Sequence, residues 1–112
     1  MSTRKEGTVA VAILSEVPEG TVEMYEAVTE RLGGKGALAP GHLVHVVGER
    51  GEGGLRVFDV WETYEDFERF DEEHLHPAVR EVMGDRVSPP LRTRYEVYDL
   101  AIADQSTPVG AG

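Results

Sequence analysis

The chain has 112 residues, enough for one domain with a modest core. Its 21 acids against 11 bases give a formal charge of −10, which argues against nucleic acid or an anionic membrane as partner, since both need a basic surface. It has no cysteine, so disulfides, thiolate catalysis and cysteine-bound zinc or iron–sulfur centres are excluded as well.

Residues 1–7 are polar and lack the apolar centre of a signal peptide. No stretch approaches the ~20 apolar residues of a membrane span, so the cytoplasm is the expected compartment. Residues 8–14, TVAVAIL, are apolar and β-branched, the pattern of a central strand covered on both sides. Pro18, Glu19 and Gly20 turn the chain. Val22, Tyr25, Val28 and Leu32 then recur at helical spacing, with Glu19, Glu23, Glu26 and Glu30 mostly off that stripe. Gly33 and Gly34 end the helix. The loop 33–41, GGKGALAPG, is either a connector or an apolar lid. A second strand covers 42–47, HLVHVV; the loop 48–54, GERGEGG, closes a hairpin; a third strand covers 55–61, LRVFDVW.

Thr63 reads as a helix N-cap with Asp66 three residues on, and Phe67 and Phe70 supply the inward stripe. His76-Pro77 predicts a break near Leu75 and a second helical piece from Pro77 to Met83, ended by Gly84. After the stiff connector Ser88-Pro89-Pro90, residues 91–100 form a long fourth strand. The order is β-α-β-β-α-β, the ferredoxin-like α+β arrangement, with two helices on one face of a four-stranded antiparallel sheet. One domain over 1–103 and a flexible tail over 104–112 are expected. The uncovered sheet face keeps apolar residues, and burying it against a second copy predicts a homodimer.

The element order, the hairpin length and the VWET-x-x-x-F junction from Val60 to Phe67 resemble the antibiotic-biosynthesis-monooxygenase-like group of dimeric α+β barrels. Small actinobacterial members of unassigned function are the most similar, and the resemblance spans about residues 8–102. It implies a pocket between sheet and helices in each protomer, and a dimer whose sheets face each other. In the quinone-forming branch it implies oxygen activation by the substrate itself, with neither metal nor flavin. There an Asn sits four residues before the Trp and a Tyr six after it. Here those positions hold Val57 and Phe67, the chain has no asparagine, and Trp61 is retained. Two functions stay open: a cofactor-independent enzyme on an aromatic or polyketide-like small molecule, or a non-catalytic dimeric ligand-binding or accessory protein.

Asp59 shares a strand face with Leu55, Val57 and Trp61, and an acid on an apolar face is either paired or has a task. If the hairpin is centred near Glu52, facing residue numbers sum to about 104, so His45 meets Asp59 and Leu43 meets Trp61. Asp59 then orients His45 as a general base near neutral pH, and Trp61 stacks on a planar substrate. The alternative is a self-satisfied core pair beside a core tryptophan. His42 has the opposite parity to His45, so the two are expected on different faces. Tyr25, on the inward stripe, and His76, at the pocket mouth, join Val57 and Phe67 as expected substrate contacts.

His74 and His76, near Asp71, Glu72 and Glu73, read as a solvated acidic helix end or a weak metal site; no metal and no other cofactor is assigned. Arg56, Arg92 and Arg94 alternate on strands, either for salt bridges across a dimer, with Glu96, or to anchor a phenolate or carboxylate. The glycine-rich hairpin has no helix after it, so it is no phosphate cradle.

Overall fold

Strand parity decides which side chains share a layer, and two layers meet on the central strand. A computed structural model describes residues 8–86 and 88–103. The expected tail over 104–112 lies outside the described residues. Four strands, β1 (Ala10–Val17), β2 (His42–Glu49), β3 (Leu55–Trp61) and β4 (Leu91–Val97), form one antiparallel sheet in the order β2-β3-β1-β4. With α1 (Val22–Arg31) after β1 and a helical run from Tyr64 after β3, this is the ferredoxin-like α+β fold. β1 extends further than the apolar run 8–14, and β4 ends at Val97 rather than at residue 100.

Being central, β1 is buried on both faces. Val11 and Ile13 pack with Trp61 and Phe67 under the helices, while Ala10 and Ala12 pack with Val60 on the opposite side. Trp61 and Ile13 are each 1 % exposed, and such burial contributes about 1.5–3 kcal/mol per aliphatic or aromatic side chain. Ala39 of the loop 33–41 packs against the helix-side cluster, whereas Leu38 is exposed.

Thr21 caps α1 by accepting from the Met24 amide, and Thr63 caps the second helix by accepting from the Asp66 amide at 3.1 Å. On α1, Val28 is buried and Tyr25 and Leu32 are half-buried, but Val22, in the first turn, stays exposed. The Gly34 amide closes the helix end on the Thr29 carbonyl, with Gly33 and Gly34 at positive φ.

The expected break near Leu75 is absent. Helix α2 (Tyr64–Phe70) passes through a π turn (Asp71–Leu75) into α3 (His76–Met83) with helical dihedrals throughout. The His76 amide reaches back five residues to the Asp71 carbonyl. A proline in an α-helix loses its amide bond and presses on the carbonyl four residues earlier, and one widened turn ahead of Pro77 relieves both. Gly84 ends the run as expected, at φ 66°.

The sheet face away from the helices is apolar and only partly covered. Val46, Leu91 and Tyr95 are each at least half exposed there. Residues 99–103 flank a groove of about 490 Å³ whose floor is Ala12, Val44, Phe58 and Val60. Among the described residues no helix is long and apolar enough to cross a membrane.

Candidate functional site

The β2–β3 ladder pairs His45 with Asp59, as the hairpin arithmetic expects. It does not pair Leu43 with Trp61. A β-bulge between His42 and Val44 sets His42 opposite Trp61 and leaves Leu43 as the extra residue. Leu43 and Val44 therefore both join the cluster on the open face. His42 and His45 both reach the helix-covered face, against the parity expectation. The bulge shifts parity by one, and that is the whole reason. The sequence carries a trace of it: His-Leu-Val-His puts two adjacent apolar residues between two polar ones, which strict alternation does not allow.

Both imidazoles converge on one carboxylate oxygen. His42 Nε2 and His45 Nδ1 each lie 2.7 Å from Asp59 Oδ1. Burial alone would raise the Asp59 pKa; hydrogen bonds from His42 and His45, with their charge, outweigh it and hold the carboxyl below the ordinary aspartate value. The ionised oxygen can only accept, so both ring nitrogens donate to it. On neutral His45, Nε2 is then the lone-pair nitrogen, and Tyr25 Oη donates to it at 2.8 Å. A chain Tyr25–His45–Asp59–His42 results, open at its Tyr25 end and closed at the other: the His45 side chain is 32 % exposed, that of His42 only 7 %.

Aromatic rings build the closed end. His42 stacks on Trp61 with centroids 4.0 Å apart and planes 5° from parallel, and Phe70 and Phe67 pack against the indole. The Trp61 face expected to meet a substrate is thus covered by His42. Among the described residues Trp61 Nε1 is a buried donor without an acceptor, a state that costs about 1–3 kcal/mol.

The other expected contacts divide. Tyr25 joins the chain directly, while Phe67 is core and Val57 is half-buried on the same strand face. Among the described residues His76, exposed on α3, makes none of these contacts; His74 is exposed as well and its ring approaches that of Phe70. Among the described residues the convergent ligand-type set is His42, His45 and Asp59 rather than His74 and His76. Within the chain, Arg56 pairs with Glu16 and Arg92 lies 3.7 Å from Asp71. Arg56 and Arg50 both bind Glu16 and hold its carboxyl below the ordinary glutamate value. Arg92 lies over Phe67 and donates to Ser15, and Arg94 lies 3.9 Å over the Tyr64 ring.

Fold and site together define a ferredoxin-like α+β protein with a polar His–Asp–His cluster under its helices. No family model matches the chain, and none of the curated proteins compared with it does. Solved structures do share the fold. A dimeric ferredoxin-like protein of unknown function from Thermobifida fusca YX superposes with a TM-score of 0.58 at 11 % identity, covering 87 % of this chain and 99 % of that one. A monooxygenase from the gene ActVA-Orf6 of Streptomyces coelicolor, in complex with nanaomycin D, gives 0.53 at 17 % identity, over 89 % and 96 %. A dimeric ferredoxin-like protein of unknown function from Bacteroides fragilis NCTC 9343 gives 0.51 at 16 % identity, over 81 % and 97 %. At these identities the likeness is one of fold, and it agrees with the fold implied by the VWET junction.

Proposed function

We propose that the chain is a cytoplasmic, homodimeric, cofactor-independent enzyme that removes a proton from an aromatic or polyketide-like molecule between sheet and helices. The Tyr25–His45–Asp59 chain carries this reading. Asp59 holds His45 in the tautomer whose Nε2 lone pair points away from the carboxylate. A phenol, that of Tyr25, already sits on this lone pair. A phenolic or enolic hydroxyl of a substrate in the same place passes its proton to Nε2, and Asp59 stabilises the imidazolium. The substrate anion is then the reactive species. In the monooxygenase-like variant it reduces dioxygen, one oxygen atom entering the substrate and the other leaving as water. In a cyclase or isomerase it attacks a carbonyl of the same molecule or is reprotonated at another carbon.

The likeness to a monooxygenase crystallised with nanaomycin D supports the substrate class at the level of fold. The half-exposed Val46, Leu91 and Tyr95 support a dimer through the open sheet face, as do the dimeric neighbours. A second reading has its own observation. Val57 and Phe67 are apolar where the quinone-forming branch carries hydrogen-bonding groups, which favours a non-catalytic ligand-binding or accessory dimer.

The test is a panel of phenolic and 1,3-dicarbonyl aromatics, followed by oxygen electrode and absorbance. Turnover that falls by about 10²-fold or more in His45→Gln, with the melting temperature kept, supports the enzyme. Ligand binding without turnover, equal in wild type and His45→Gln, supports the second reading.

A further inference from the structure

We infer that His42, His45 and Asp59 also form a binding site for a late first-row divalent metal ion of the zinc class. This goes beyond the proposed turnover and does not rest on it. The three residues offer one ligand atom each, His42 Nε2, His45 Nδ1 and Asp59 Oδ1, all within 4.8 Å of one another. Ligands bound tetrahedrally at about 2.0–2.2 Å stand roughly 3.3 Å apart. The two 2.7 Å contacts therefore need to open by about half an ångström, and the two imidazole nitrogens, no more than 4.8 Å apart, to stand at the same separation. Two imidazoles with one carboxylate select late first-row ions over magnesium or calcium, which prefer all-oxygen sites.

The scaffold holds these ligands in place. His45 and Asp59 are directly paired across two hydrogen-bonded strands, and the bulge brings His42 to the same face. The His42 ring is clamped flat on Trp61. His45 has the outer partner that a metal-bound imidazole needs. With Nδ1 on a metal its proton sits on Nε2 and donates to Tyr25 Oη, and a hydroxyl serves as donor in one state and acceptor in the other. The Asp59 carboxylate is 13 % exposed and its hydrogen-bond partners are both imidazoles, which a metal ion would take as ligands while balancing the carboxylate charge. A formal charge of −10 raises the local cation concentration further. Three protein ligands leave a coordination position, and the exposed side of His45 gives solvent access to it.

With metal on Nδ1, His45 carries its proton on Nε2 and accepts no other. The ion is thus an antagonist of the proposed base chemistry and not its cofactor.

The experiment is titration of chelator-stripped full-length protein with Co²⁺, read by its visible d–d bands, and with Zn²⁺ by competition. One ion per chain is expected, with the intense bands of four- or five-coordinate cobalt. His42→Phe keeps the ring stack on Trp61 and removes a ligand; it and Asp59→Asn should each lower affinity at least about tenfold, a loss that even an outer-shell change can bring. His76→Ala should bind as wild type. Absence of binding at millimolar metal overturns the site, and so does affinity unchanged in His42→Phe, which would assign the ion to the acidic surface. No substrate enters this readout, so a failed turnover assay leaves it untouched.

Discussion

Asp59 is the residue on which most of the polar chemistry under the helices depends. Its oxygen accepts from an enclosed His42 and a half-open His45, and the two differ in what they lose without it. His45 can rehydrate at the mouth, whereas the His42 donor is stranded against Trp61. Asp59→Ala should therefore destabilise the fold by about 2–3 kcal/mol, measured by urea denaturation, mostly through that stranded donor. Adding His42→Phe removes the donor and should recover part of the loss; strict additivity of the two changes would show that the pair is not coupled. Glu16 makes a second prediction. Its pKa is lowered by hydrogen bonds from Arg56 and Arg50, so its contribution is complete above the ordinary glutamate pKa and lost as pH falls through the lowered one. In Glu16→Gln the acid-side decline in urea midpoint should be shallower than in wild type, and parallel declines would remove Glu16 from the acid response.

At the scale of elements, three local devices aim the site. The bulge in β2 turns His42 inward, the caps start the helices, and the π turn carries the helical run past Pro77. Thr63→Ala should cost about 1 kcal/mol, because the Asp66 amide loses its acceptor. The hairpin offers a contrast between two glycines. Gly54 has φ 87°, and a Cβ there would overlap the Val17 and Pro18 carbonyls, which are backbone atoms. Gly51 has open space and no positive φ. Gly54→Ala should lower the melting temperature sharply and loosen the hairpin that pairs His45 with Asp59. Gly51→Ala should be neutral or slightly stabilising, by up to about 1 kcal/mol. Equal effects at the two sites would refute the steric account.

At the scale of the molecule, one sheet face is closed by helices and the other is left to a partner. The open face presents Val46, Leu91 and Tyr95 beside the groove along residues 99–103. If that face joins two copies, light scattering at micromolar concentration gives twice the 12.3 kDa chain mass, and Tyr95→Glu gives the single mass. A wild-type protein of single mass would leave the face without its expected partner.

How much of this is legible in the residues differs by feature. The element order, the bounds of β3, the Thr63 cap and the His45–Asp59 pairing follow from the chain alone, because parity, capping and hairpin loops act over a few residues. The inward turn of His42, the stacking that covers Trp61 and the pairing of Arg56 with Glu16 do not. Each depends on atoms brought together from distant parts of the chain. A bulge reverses parity in the strand that carries it, and nothing at residue 42 alone states that one lies next to it. His76 is exposed on its helix, in keeping with the solvated acidic helix end that its neighbours along the chain suggest. Local chemistry therefore determined the fold and half of the polar cluster. Packing across the sheet decided its second imidazole, because only there does the ladder have to absorb an extra residue while both faces stay filled.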